Sequence, residues 1–224
     1  MKITFLGTGA ADWKRQEHSA WPGFRRNAAA LLDGQLLIDP GPDVPDALET
    51  FGIDPKGIRY ILNTHKHSDH YCPETLRVLS HGEFLELEAG QQRQIGPYRV
   101  RALRANHATS ACCIHFLITD GDKTLFYGLD GAWLFYEEYR AIREQGVDLA
   151  VIDATVGFLD GDYRIFEHNN LNMVLEMKKT LDPWVRRWCI SHMARTLHTD
   201  HATLAAAMAE HGVETAFDGC ELLL

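Results

Sequence analysis

Thr64-His65-Lys66-His67-Ser68-Asp69-His70 places three imidazoles and a carboxylate within residues 65–70, directly after the short apolar run at 58–62. Side chains alternate along an extended chain, so His65 and His67 point the same way and can face one metal ion. Asp69 and His70 fall where the chain turns toward a helix opened by Pro73, within reach of a second ion. Imidazole nitrogen and carboxylate oxygen suit zinc, and also iron or manganese. Taken singly, each has an ordinary explanation: an isolated histidine is more often packed or exposed than ligating, and Asp69 can cap the following helix. Such a density of donors behind a strand argues for a metal site.

That run cannot complete two metal sites by itself. Working outward, His107, Asp130 and His192 each follow an expected strand, at 98–103, 125–128 and 188–190. Adjacent strands bring such residues to one sheet edge. The remaining pattern supplies the frame. Residues 3–6 read as a strand ending in the turn Gly7-Thr8-Gly9, and Asp33-Gly34 joins 28–32 to 35–38 as a hairpin. Further strands are expected at 113–119, 149–153 and 215–217, and helices at 43–51, 136–143 and 171–181. A last helix is capped by Thr199 and runs through Met208, and Leu222-Leu223-Leu224 reads as a buried strand. The expectation is an α/β (α+β) fold, with two sheets covered by helices in a single domain spanning 1–224.

Composition narrows the function. The 224 residues are 46% hydrophobic and 24% charged, ordinary values for a soluble globular chain. The formal charge of −9 argues against a broad phosphate-backbone surface, so no long nucleic acid is expected as a partner. The cysteines, Cys72, Cys112, Cys113, Cys189 and Cys220, are odd in number and scattered, which opposes a disulfide framework. No apolar run approaches a membrane span or a secretory signal, so the expected setting is the cytoplasm, without membrane attachment. Oligomeric state stays open, a homodimer being one option.

The H-x-H-x-D-H run, the Ile38-Asp39-Pro40-Gly41 segment and the strand-end His107, Asp130 and His192 resemble the metallo-β-lactamase superfamily, in order along nearly the whole chain. The resemblance implies an αββα four-layer sandwich of two mixed sheets. It also implies a dinuclear site in which His65, His67 and His107 hold one metal, Asp69, His70 and His192 hold the other, and Asp130 bridges them. Within the superfamily the chain is similar to the cyclic-phosphate phosphodiesterases of phosphonate breakdown. The segments that carry this are Phe5-Leu6-Gly7-Thr8-Gly9-Ala10, Ser191-His192, residues 217–222 and Glu167-His168-Asn169-Asn170-Leu171-Asn172. In those relatives a histidine in an H-x-x-L-N setting assists at the phosphate, and His168 matches it.

This chain departs from those relatives in one respect. They carry a cysteine-rich structural zinc motif after the first strand, whereas residues 10–26 here hold no cysteine and instead offer Trp13, Lys14, Arg15, Trp21, Arg25 and Arg26. These side chains can recognise a ring and a phosphate, or simply form a partly solvated loop. The expected chemistry is hydrolysis of a small anionic phosphodiester, cyclic ones included, by a metal-bridging hydroxide, with two divalent ions, zinc or manganese, and His168, Asp69 and Asp130 as catalytic groups. Competing readings are ribonuclease Z-like RNA processing, thioester, lactone or β-lactam hydrolysis, and a non-hydrolytic metal-binding sensor. The other histidines, His18, His81, His115, His198, His201 and His211, are assigned to surface or packing, with His198 and His201 at the pocket edge as an option.

Overall fold

The computed structural model describes residues 1–14 and 23–224. Six strands form one sheet: β1 (Lys2–Gly7), β2 (Ala29–Leu32), β3 (Leu36–Ile38), β4 (Tyr60–Leu62), β5 (Glu83–Leu85) and the C-terminal β13 (Glu221–Leu223), in the order β13-β1-β2-β3-β4-β5. Seven strands form the other: β6 (Gln92–Ile95), β7 (Tyr98–Arg104), β8 (Ile114–Thr119), β9 (Thr124–Gly128), β10 (Leu149–Asp153), β11 (Trp188–Ser191) and β12 (Val213–Thr215), in the order β12-β11-β10-β9-β8-β7-β6. Helices α1 (Val44–Thr50) and α2 (Pro73–Val78) accompany the first sheet; α3 (Tyr136–Gln145), α4 (Leu171–Leu181) and α5 (His201–Ala209) cover the second.

Burial on both faces explains why so many strands read as unbroken apolar runs. Ile3, Phe5, Leu36 and Ile38 of the first sheet meet Tyr98, Phe116, Tyr127 and Val151 of the second in the central core. On the outer faces, Leu31 and Leu37 pack under Val44, Ala47 and Leu48 of α1. Phe126, Ala150 and Ile152 pack under Ile142 of α3, Val174 of α4 and Leu204 of α5. The layers are therefore helix, sheet, sheet, helix, as the sequence leads one to expect.

The hairpin forms with Asp33 and Gly34 at positive φ, 48° and 70°, but Leu32 pairs with Leu36, so Asp33-Gly34-Gln35 make the connection in place of the two residues expected. Three other expectations are corrected. The side chain of Asp200, not Thr199, caps α5 by accepting from Thr203 N at 3.1 Å, since an extended Asp at that position reaches the free amide. The late strand is Val213–Thr215 rather than 215–217, because Val213, not Phe217, is the buried anchor beside β11; Phe217 is 50% exposed. The C-terminal run is a strand on β1, but as the sheet's edge it leaves Leu223 72% exposed. Strands β5 and β6 carry no readable pattern: β6 is Gln92-Arg93-Gln94-Ile95, and only Ile95 is buried.

Strands β3 and β4 run parallel, as do β9, β10 and β11. Their C-terminal ends deliver Asp39, residues 63–70, Asp130, Asp153 and His192 to one edge, the usual place for a site in parallel sheets.

Candidate metal centre

All seven side chains singled out as ligands meet at that edge. His65, His67, His107 and Asp130 place donor atoms within 4.8 Å of one another, and so do Asp69, His70, Asp130 and His192. Asp130 belongs to both groups. Its Oδ2 lies 3.1 Å from His65 Nε2 and 3.0 Å from His70 Nε2, and its Oδ1 lies 3.3 Å from His192 Nε2. The loop after β4 achieves this by turning back on itself, with the amides of His70 and Tyr71 donating to His67 O at 3.0 and 2.9 Å. Asp69 faces the cluster and caps no helix; α2 begins after Cys72 without a side-chain cap.

Backbone strain concentrates here. Among the described residues, the non-glycine positions with positive φ are Asp33 of the hairpin and Asp39, Asp130 and His192 of this cluster, at 62°, 53° and 61°. Each such conformation costs about 1–3 kcal/mol and persists only where the surroundings impose it.

The donor set fits a pair of divalent cations. Ring nitrogens of His70 and His192 approach to 3.2 Å, and those of His67 and His107 likewise, so lone pairs converge on common points. His65 Nε2 and Asp130 Oδ1 are buried without a hydrogen bond, a deficit that coordination would remove. Mixed nitrogen and oxygen donors suit zinc or manganese.

A second ring of contacts orients these donors. Asp39 Oδ2 accepts from His70 Nδ1 at 2.9 Å, while its Oδ1 accepts from Thr64 N and Thr64 Oγ1. Asp153 plays the matching part on the other sheet: its Oδ2 lies 3.2 Å from His192 Nδ1, and its carboxylate accepts the amides of Asp130, Thr155 and Asn169. His65 Nδ1 meets Thr64 Oγ1 at 3.0 Å, and His107 Nδ1 donates to Glu167 O at 3.3 Å. Fixing one ring nitrogen aims the other inward. Replacing Asp39 by asparagine is accordingly expected to weaken metal binding by about 10–100-fold, measured by competition with a chromogenic chelator.

Electrostatics follow the same geometry. Burial would raise the Asp130 carboxyl, but His192 and His70 hold it well below the usual carboxylate range. Burial opposes charge on His192, yet Asp130 and Asp153 beside it push it up to about 10. Burial instead lowers His65 and His107.

His168 stands at the wall of a cavity of about 280 Å³ that opens onto the cluster. Its ring stacks on His192, with centroids 5.6 Å apart, and its Nδ1 lies 3.1 Å from Asp153 Oδ2 and 3.2 Å from Asp130 Oδ1. Burial lowers its proton affinity, but Asp153 more than offsets this and holds it above the ordinary histidine value.

Sequence reasoning missed four contributors. Asp153, Thr155, Arg164 and Glu167 all contact the cluster or line the cavity. Asp153 was visible only as the end of an apolar strand, yet Asp39 and Asp130 occupy the same kind of position, an acid directly after Ile38 or Leu129. Arg164 lines the wall with its guanidinium clamped by Asp162, Nε to Oδ1 at 2.7 Å and Nη2 to Oδ2 at 2.6 Å.

The phosphate-and-ring reading of the 10–26 loop is corrected where it can be followed. Arg25 is buried and donates to Thr8 Oγ1 and Ala216 O; Arg26 is buried against Asp46 and Asp218. Both tie the loop to the body of the protein and neither lines the cavity beside His168, although Arg25 and Trp13 line the hollow next to it. Trp13 donates to Met193 O at 2.8 Å, Lys14 is exposed, and Arg15, Trp21 and His18 lie outside the described residues. His198 donates to Ala154 O at 2.7 Å; with His201 it lines a neighbouring hollow that adjoins the cavity beside His168 at Ala194. His81 and His211 are exposed, and His115 is packed inside.

Comparison with known proteins agrees with this architecture. Residues 28–72, which hold Asp39 and the His65–His70 run, match the model of the metallo-β-lactamase superfamily. A UPF0173 protein of Pyrococcus abyssi is 35% identical over 137 residues, covering 52% of this chain and 60% of that protein; a Pyrococcus furiosus homologue is 32% identical over 113 residues, covering 42% and 51%. The matched stretches thus span little more than half the length of these relatives. Among solved structures, a diphosphatase from the PhnP family superposes with a TM-score of 0.74 at 18% identity, covering 100% of this chain and 97% of that one. The short form of human tRNase Z gives 0.70 at 19%, covering 100% and 99%. The resemblance read from the sequence is borne out: the chain has the metallo-β-lactamase fold, and the segment bearing its histidine run matches that superfamily.

Proposed function

We propose that the chain is a metal-dependent phosphodiesterase acting on a small anionic phosphodiester, cyclic substrates included. The observation that carries this reading is His168: a histidine 3.1 Å from Asp153, which raises its proton affinity above the ordinary value, at the wall of the cavity onto which both donor groups open. A pair of divalent ions at such a centre lowers the pKa of a shared water toward about 7 and balances charge on a phosphoryl group.

The chain's own residues do the rest. His65, His67 and His107 would hold one ion and Asp69, His70 and His192 the other, with Asp130 belonging to both donor groups. Asp39 and Asp153 keep the rings aimed. With His168 Nδ1 engaged by Asp153, Nε2 is the ring atom left to give a proton to the departing alkoxide. Arg164 lines the cavity wall with its guanidinium paired to Asp162, where its remaining N–H groups can donate to an anionic substrate. Two bound dications would outweigh the carboxylates of Asp69 and Asp130, so the loaded site would attract anions despite the chain's −9.

A side-by-side assay of bis(p-nitrophenyl) phosphate, a thioester and a lactone, each with added zinc or manganese, tests the reading. Phosphodiester turnover should dominate and vanish on chelation; preferential thioester or lactone hydrolysis would refute it. The likeness to tRNase Z keeps RNA processing as the second reading. Cleavage of a precursor tRNA in preference to the small ester would favour it.

A further inference from the structure

The mechanism does not use the buried pair of His115 on β8 and Glu138 on α3, 1% and 0% exposed. His115 Nδ1 lies 2.5 Å from Glu138 Oε1, and His115 Nε2 donates to Leu129 O at 3.1 Å. Glu138 Oε2 accepts Phe135 N at 2.7 Å, at the start of α3. The pair therefore joins three things: a central strand, the first turn of α3, and the backbone carbonyl immediately before Asp130.

The fit around the ring is close. A Cβ on Gly131 would lie 2.6 Å from His115 Cε1 and 2.7 Å from Nε2, so residue 131 must be glycine for the ring to sit there. The segment from 129 to 132 is held on every side. Asp130 N donates to Asp153 Oδ2 at 3.2 Å, Asn169 Nδ2 donates to Gly131 O at 2.9 Å, and Ala132 N donates to Asn106 O at 3.0 Å. From the β8 side His115 holds Leu129 O and Cys113 Sγ donates to Asp130 O at 3.5 Å, and the residue between these ties is the left-handed Asp130, φ 53°.

Resting on the reading of Asp130 as the residue shared by both ions, we infer that the His115–Glu138 pair is a positioning device for Asp130. By capturing Leu129 O from inside the second sheet, His115 fixes the left-handed turn that aims the Asp130 carboxylate between the two donor groups. Glu138 fixes the ring in turn and anchors α3 to the same point. Neither residue touches substrate.

Equilibrium metal affinity, read by competition with a chromogenic zinc chelator, is the test, with thermal unfolding of the metal-free protein alongside. His115→Phe keeps the ring's volume but removes both hydrogen bonds, and should weaken zinc binding by about 10–100-fold, the range for lost outer contacts. Glu138→Gln can still donate to Nδ1 and accept from Phe135 N, and should bind zinc as the unmodified chain does. Tyr98→Phe, which removes a buried hydroxyl contact to Asp33 in the hairpin away from the site, should alter unfolding alone. If His115→Phe does not fold, the affinity is read on Glu138→Ala, which frees the ring but keeps Nε2. Normal zinc affinity in the substituted protein that folds would overturn the inference. Asp130→Asn, run in parallel, separates the two claims: if it binds zinc normally, the shared-ligand reading itself fails.

Discussion

Replacing His168 by alanine is expected to slow phosphodiester turnover by about 10²–10⁴-fold, the usual worth of a positioned general acid, while metal content stays that of the unmodified chain. The geometry separates the two effects. His168 contacts the cluster through Asp153 and Asp130, but neither donor group needs its ring to place its own atoms within 4.8 Å. The loss should fall on kcat more than on KM, because a proton given to the leaving oxygen acts in the transition state rather than in substrate binding. A substrate with a good leaving group, such as p-nitrophenolate, should be less sensitive than an alkyl ester. Turnover and metal content measured on the same preparation check the claim; unchanged turnover with the alkyl ester would remove His168 from the mechanism.

Asp130→Asn should have the larger effect. A carboxamide offers one neutral oxygen where the carboxylate offers two charged ones, and the carboxylate oxygens now lie 3.0–3.3 Å from His65, His70 and His192. Losing the shared ligand should empty at least one position and forfeit several kcal/mol of charge stabilisation, about a 10³–10⁴-fold fall in kcat/KM at 1.36 kcal/mol per decade. The unmodified chain should gain thermal stability with added zinc, because a ligand that binds only the folded state stabilises it by mass action. The variant's gain should be much smaller, which differential scanning fluorimetry can read.

The run at 65–70 disclosed the centre because local spacing alone puts four donors on one turn. His107, Asp130 and His192 were recoverable because each follows an apolar strand, and parallel strands end at a common edge. Hairpin and helix boundaries came through where glycine or proline punctuates the chain, as at Asp33-Gly34 and Pro73. What escaped was set by long-range contact. Nothing local distinguishes Asp153 from any acid that ends a strand; its role arises because β10 lies between β9 and β11, bringing His192, Asp130 and residue 168 to its carboxylate. Arg25 and Arg26 misled for the converse reason, since cations in a loop look available until their distant partners Thr8, Asp46 and Asp218 are known. Strand β6 was invisible because an exposed edge strand needs no apolar alternation.

The central claim is that these seven side chains hold two cations. Anomalous diffraction at the zinc edge, from crystals grown with zinc, tests it most directly. The account predicts two peaks about 3.5–4 Å apart, one among His65, His67 and His107, the other among Asp69, His70 and His192, both in contact with Asp130. No peak at this edge, or zinc bound only elsewhere on the chain, would contradict it.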